Sequence, residues 1–253
     1  MRQLSVICLA ILIHSVTAQA VVFTQDPSLF AVKPDSPFAK VGRLGGASGV
    51  LIDSQYVATA AHAAYGTPFV LLGESFEIAE RWIHPLYDLA VLRLDRDTGL
   101  VGYDLYRGDG EAGRTIVVVG WGVSGVGFPD PAQYPRGTCR AALNRIDEVW
   151  GSGFAYDFDG PDGCDWSGEG MIAAGDSGGA SFLWEDGRYV LAGIHSMVCD
   201  GDADGVAPEL GDWGVDVRIS AAAEWIDSVI VPEPSGLILL SCGWIGLWGR
   251  VKP

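Results

Sequence analysis

The apolar residues of this chain come in short bursts, and that pattern excludes most folds at once. Val50-Leu51-Ile52, Tyr56-Val57-Ala58-Thr59, Phe69-Val70-Leu71-Leu72, Leu89 to Leu94, Thr115 to Val119 and Tyr189 to Ile194 are rich in β-branched and aromatic side chains. Gly-, Asp- and Pro-rich stretches separate them, as at Val123 to Gly137 and Tyr156 to Gly170. Runs this short read as strands joined by turns. Helical periodicity emerges only at Ile219 to Val231, where Ala221, Ala222, Trp225, Ile226 and Val229 recur near helical spacing. The pattern predicts an all-β fold closed by one C-terminal helix. Thirty-five glycines and only 19% charged residues agree with short strands and many turns.

Both ends read as addresses. Arg2 precedes an apolar run from Val6 to Ile13, and Ala18-Gln19-Ala20 follows. A basic start, a short apolar core and an A-x-A exit describe a secretory signal peptide over residues 1–20, removed by a signal peptidase. At the other end Val231-Pro232-Glu233-Pro234 leads into an apolar stretch, Leu237 to Trp248, tipped by Arg250 and Lys252. This arrangement over 232–253 resembles the PEP-CTERM sorting signal of Gram-negative bacteria. The resemblance implies export, transient anchoring in the inner membrane, an exosortase-type sorting enzyme as partner, and a final place at the cell surface or outside. A plain C-terminal membrane anchor is the alternative. Residues 21–231 remain for the working domain.

The net charge of −16 argues against a nucleic-acid partner. Cys139, Cys164 and Cys199 lie in the body, an odd set that allows one disulfide and one free thiol. Cys164–Cys199 is the favoured pair because both flank the segment that carries the chemistry.

That segment is Gly175-Asp176-Ser177-Gly178-Gly179. A serine among glycines can sit where backbone N–H groups crowd around a substrate carbonyl. Upstream lie Thr59-Ala60-Ala61-His62 and His84-Pro85-Leu86-Tyr87-Asp88-Leu89-Ala90-Val91-Leu92. Ser177, His62 and Asp88 would be nucleophile, base and orienting carboxylate, distant in sequence and joined by folding. Taken alone, each residue also has an ordinary structural reading, and His84, before Pro85, reads as structural.

With Gly120-Trp121-Gly122, Gly193-Ile194-His195-Ser196 and the stretch Gly214 to Ile226, these segments resemble the trypsin-like serine proteases in order and content. The resemblance covers roughly Gly45 to Ile230. It implies two antiparallel six-stranded β-barrels, with a boundary near 123–137 and the active site between them. It assigns the oxyanion hole to the N–H groups of Gly175 and Ser177, and implies that Ser196 bonds near the aspartate and pairs its backbone with a protein or peptide substrate.

The chain also departs from that pattern. Lys40 to Gly46 lacks the Ile-Val-Gly-Gly start whose new N-terminus pairs with the residue matching Asp176 in many relatives. Met171, six residues before Ser177, falls where trypsin's pocket carries an aspartate, so an Arg or Lys preference is not expected. With Ile172 and Val198 as lining and Gly214 leaving a wall open, the match suggests a small or medium apolar residue before the scissile bond. His195 resembles the histidine by which glutamyl endopeptidases hold a carboxylate, so glutamate stays open. Asp200-Gly201-Asp202-Ala203-Asp204-Gly205 matches the opening of a calcium loop, yet Gly211 stands at its twelfth position, with Glu209 or Asp212 as substitutes. An acidic solvated loop is the competing reading, and no cofactor or metal is required by the chemistry. The leading expectation is an exported serine endopeptidase. A catalytically silent relative that binds peptide or matrix, and a structural surface protein, are the rivals.

Overall fold

The computed structural model describes residues 22–23, 25–126, 137–159, 168–201, 203, 205 and 207–231. The expected leader and C-terminal signal, Cys164, Asp202 and Asp204 fall outside these residues. After β1 (Val22–Phe23) and a 3-10 turn at Pro27–Phe30, the chain forms β2 (Val41–Leu44), β3 (Ala47–Asp53), β4 (Tyr56–Thr59), β5 (Phe69–Leu71), β6 (Glu74–Phe76), β7 (Ile78–Ile83) and β8 (Ala90–Leu94). Next come β9 (Thr115–Gly120), β10 (Gly125–Val126), β11 (Arg140–Arg145), β12 (Glu148–Val149), β13 (Gly153–Asp157) and β14 (Gly170–Met171). The last described elements are β15 (Ala180–Glu185), β16 (Arg188–Cys199), β17 (Trp213–Arg218) and α1 (Ile219–Ile230).

The first sheet has the order β6-β5-β2-β3-β4-β8-β7, and all its described pairs are antiparallel. It has seven strands where six were expected, but its two outer members, β6 and β7, are separated only by Glu77. One bent strand thus pairs with β5 at one end and with β8 at the other, which curls the sheet into a barrel. The second sheet, β11-β9-β15-β16-β17-β13-β12, repeats the device: β11 and β12 are separated by Ile146 and Asp147 and occupy opposite edges. The passage from one sheet to the other lies between Leu94 and Thr115, upstream of the 123–137 stretch read as the boundary.

A continuous cluster of buried side chains joins the sheets. Val41, Val50, Leu89 and Val91 from the first pack with Val119, Phe182, Leu191 and Ile194 from the second. Helix α1 buries Ile219, Ala222, Ala223 and Ile226, an i, i+3, i+4, i+7 stripe, into the same cluster or beside it. Its start is tied down by an ion pair that sequence reading missed. Glu111, fully buried, accepts from Arg218 Nε at 2.6 Å and Nη2 at 2.8 Å, and from the Ser220 hydroxyl at 3.0 Å.

Strand register decides where the candidate site residues lie. Thr59 faces Ala90 across β4 and β8, so the chain leaves β4 toward His62 at the end where it enters β8 from Asp88. Ala180 faces Ile194 across β15 and β16, so Ser177, before β15, and Ser196, within β16, share an end as well.

Candidate active site

His62 lies on a single 3-10 turn, Ala61–Ala63, directly after β4. Asp88 sits in the short connection from β7 to β8. Its Oδ1 accepts the His62 backbone N–H at 3.0 Å, and its Oδ2 meets His62 Nδ1 at 2.8 Å. The Ser196 hydroxyl donates to the same Oδ2 at 2.6 Å. Partial burial alone would raise the Asp88 pKa, but the bonds from His62 and Ser196 outweigh it and hold the carboxyl at about 2. The bond to Asp88 raises the His62 pKa above its ordinary value, against an opposing effect of burial. A carboxylate on Nδ1 fixes the proton there in the neutral ring and leaves Nε2 as the basic atom. The His62 side chain is 50% exposed.

The glycines around Ser177 have steric reasons. Gly175 has φ of +97° and Gly178 of +79°, conformations that side chains rarely adopt. A Cβ on Gly178 would strike the Thr59 hydroxyl and the Ser48 carbonyl. The turn that carries Ser177 is therefore packed directly against the strand end that leads to His62. Ser48 reinforces this contact: its N–H donates to the Ser177 carbonyl at 2.9 Å and its hydroxyl to the Gly175 carbonyl at 3.1 Å. Asp176, fully buried, accepts from Gly122 N–H at 2.9 Å and Ala173 N–H at 3.0 Å, which fixes the loop from below. Among the described residues neither the Gly175 nor the Ser177 N–H meets an acceptor.

A cavity of about 320 Å³ opens beside Ser177. Ile172, Ala173, Ala174, Ser196, Met197, Val198, Ala207 and Pro208 complete its lining. No charged side chain takes part. Of the residues expected to bind substrate, Ile172, Ser196 and Val198 are part of this lining, whereas Met171, His195 and Gly214 are not. Met171 is fully buried: it sits opposite Val22 in the β1–β14 pair and packs among Phe23, Tyr156 and Ile172. Gly214 leaves no wall open, because a Cβ there would meet the Tyr156 ring. His195 is fully buried and is not part of the lining. Its Nδ1 lies 3.0 and 3.1 Å from the two oxygens of buried Asp216, and the Tyr156 hydroxyl donates to Asp216 Oδ1 at 3.1 Å. Counting residues back from Ser177 could not show which face of each strand they take. Ala207 and Pro208 were missed because they come from a distant loop that folds over the cavity.

Two carboxylates of the acidic loop bond its own backbone. Asp200 accepts from Ala203 and Gly205 N–H, and Asp212 from Gly201 and Glu209 N–H, at 2.6–2.8 Å. Among the described residues there is no cluster of three or more potential metal ligands. Cys139 is buried and Cys199 exposed, both as free thiols, and the expected partner Cys164 lies outside the described residues. Among the described residues no helix is long and apolar enough to cross a membrane.

A family model described as Trypsin matches residues 31–226. A solved structure of neuropsin, a serine protease expressed in the limbic system of mouse brain, superposes with a TM-score of 0.60 at 20% sequence identity. The match covers 80% of this chain and 98% of the neuropsin chain. No curated protein sequence matches the chain.

Proposed function

The chain belongs to the trypsin family of serine peptidases, and from that premise we propose that it is an exported endopeptidase working through His62, Asp88 and Ser177. One observation carries the reading: the carboxylate of Asp88 holds the His62 ring through Nδ1, while the glycine turn bearing Ser177 is wedged against the strand leading to that ring. Ser177 Oγ attacks the scissile carbonyl carbon as His62 Nε2 removes its proton. The charge that develops on the carbonyl oxygen is met by the N–H groups of Gly175 and Ser177, and each such donor is worth about 2.7–4 kcal/mol. His62 then gives the proton to the leaving amine, and an ester to Ser177 remains. Water, deprotonated by His62, hydrolyses that ester and restores the hydroxyl. Asp88 keeps the tautomer correct and stabilises the transient imidazolium.

The uncharged cavity supports a small or medium apolar residue before the scissile bond. The N-terminal leader and the Pro-Glu-Pro, apolar, basic tail support export through signal peptidase, transient anchoring and exosortase-type processing. A fluorophosphonate probe tests the chemistry. Covalent capture that disappears in Ser177→Ala supports the peptidase. A folded protein that binds peptides yet resists the probe would be the silent relative instead.

A further inference from the structure

The stretch from His84 to Leu89 must reverse the chain between β7 and β8 and still aim a carboxylate at His62. It does so around one imidazole. The His84 Nδ1 accepts the backbone N–H of Leu86 at 3.2 Å and of Tyr87 at 3.0 Å. The His84 N–H donates to the Leu89 carbonyl at 2.8 Å, and the Leu89 N–H to the Tyr87 carbonyl at 2.7 Å. The ring is clamped as well. It stacks on Tyr87 with centroids 4.2 Å apart and planes 8° apart, and the Trp225 ring of α1 meets it at 4.8 Å and 75°. Tyr87 is the titratable group in ring contact with it, and Trp225 carries no charge. Asp88 is the residue between the two that this knot binds.

We propose that His84 is a positioning residue for Asp88: its unprotonated Nδ1 ties the β7–β8 connection into the turn that presents the carboxylate to His62 and Ser196. An imidazole can accept two N–H bonds at Nδ1 only with its proton on Nε2, so this role needs the neutral ring. Burial disfavours the charged ring here, which works in the same direction. Replacing the ring by Ala frees the Leu86 and Tyr87 N–H groups and removes the stack, so Asp88 loses its aim. Asn offers a carbonyl oxygen near the place of Nδ1. The inference rests on the peptidase reading for its effect on turnover, but not for its effect on His62.

The test follows the titration of His62 by NMR in a Ser177→Ala background, with His84→Ala and His84→Asn added in turn. The bond to Asp88 is the main cause of the raised His62 pKa. His84→Ala is therefore expected to lower the His62 midpoint, and His84→Asn to restore it. In enzyme with Ser177 intact, kcat should fall about 10- to 100-fold in His84→Ala, with KM little changed. That is less than the roughly 10⁴-fold loss from neutralising the orienting carboxylate itself. The acid limb of kcat/KM should move to lower pH, and His84→Asn should recover both. An unchanged His62 midpoint in folded His84→Ala, or an Asn variant as impaired as Ala, overturns the proposal. If the Ala variant does not fold, the ¹⁵N shift of Nδ1 in the unsubstituted protein decides: a protonated Nδ1 overturns it and an acceptor Nδ1 supports it. Absence of probe labelling in the parent protein would refute the peptidase reading and leave the NMR result standing.

Discussion

Two histidine–aspartate pairs lie among the described residues, one in each barrel region, and their bond lengths are close. His62 Nδ1 is 2.8 Å from Asp88, and His195 Nδ1 is 3.0 Å from Asp216. Their surroundings differ. The first pair is open, with side chains 50% and 28% exposed, and a serine hydroxyl completes its carboxylate. The second is fully buried, its carboxylate is completed by the Tyr156 hydroxyl, and His195 Nε2 has no hydrogen-bond partner among the described residues. On the proposed mechanism, pairing with a carboxylate would not by itself make an imidazole a catalyst. The base needs a second nitrogen facing a space where a nucleophile and a substrate can meet. The buried pair instead resembles a structural clasp: β16 and β17 are joined there by side chains as well as by the backbone ladder.

The largest expected difference between the pairs lies in turnover. Asp88→Asn should lower kcat by about 10⁴-fold, the loss typical when the orienting carboxylate of such a triad becomes an amide. Its unfolding midpoint in urea should stay near that of the parent, because the site is partly solvated. Asp216→Ala should do the reverse. It strands the His195 ring and the Tyr156 hydroxyl in the interior, so stability falls by about 3 kcal/mol in urea titration. Turnover per folded molecule should remain near the parent value. If Asp216→Ala abolished turnover in a fully folded protein, the division between catalyst and clasp would be wrong.

The open pair was legible in the sequence and the buried one was not, for a physical reason. His62, Asp88 and Ser177 each belong to a local segment whose own turn sets the side chain: the 3-10 turn after Thr59, the His84 knot, and the turn between Gly175 and Gly178. The strands Tyr56–Thr59, Ala90–Leu94 and Thr115–Gly120 were equally readable, because β-branched runs bounded by turns carry their own signal. The pairing of His195 with Asp216 is instead a matter of register between β16 and β17, with a shift between His195 and Met197. No local pattern encodes that register. The same limit explains Met171. Its distance from Ser177 matches the base of the family's pocket, but pairing of β14 with β1 turns it into the core beside Phe23. Glu111 and Arg218 were missed likewise, as residues distant in sequence whose charges only make sense once they meet.

Substrate choice tests the same division from the outside. A panel of peptides differing only in the residue before the scissile bond should show Ala or Leu cleaved about 100-fold or more faster than Arg. A guanidinium entering a cavity lined by Ile172, Val198, Met197 and Pro208 would lose water without gaining a partner. Rapid cleavage after Arg would sink this account of the cavity. Rapid cleavage after Glu would break the comparison itself, because it would require His195 Nε2 to reach the substrate and the buried pair to belong to the site.

The smallest effect concerns pH. Removing the Ser196 hydroxyl in Ser196→Ala takes one of the three donors from Asp88 and should lower kcat about 10-fold, or ~1.4 kcal/mol. Because His62 still pairs with Asp88, its midpoint should stay above the ordinary 6.5, and kcat/KM should still rise with pH through that midpoint as the base loses its proton. Stability runs the other way. The raised His62 pKa stabilises the fold fully below 6.5, and that contribution fades as pH rises through the folded-state value. The lowered Asp88 pKa stabilises above 3.8 and fades as pH falls toward about 2. These are two views of one bond, so the pair steadies the protein most between 3.8 and 6.5, where the base is protonated and turnover is low. Solvent screening keeps the effect small at this half-open site. Comparing urea midpoints near pH 5 and near pH 8.5 for the parent and Asp88→Asn should show the gap narrowing at the higher pH. A gap that widened there would mean that the imidazolium is not what Asp88 stabilises.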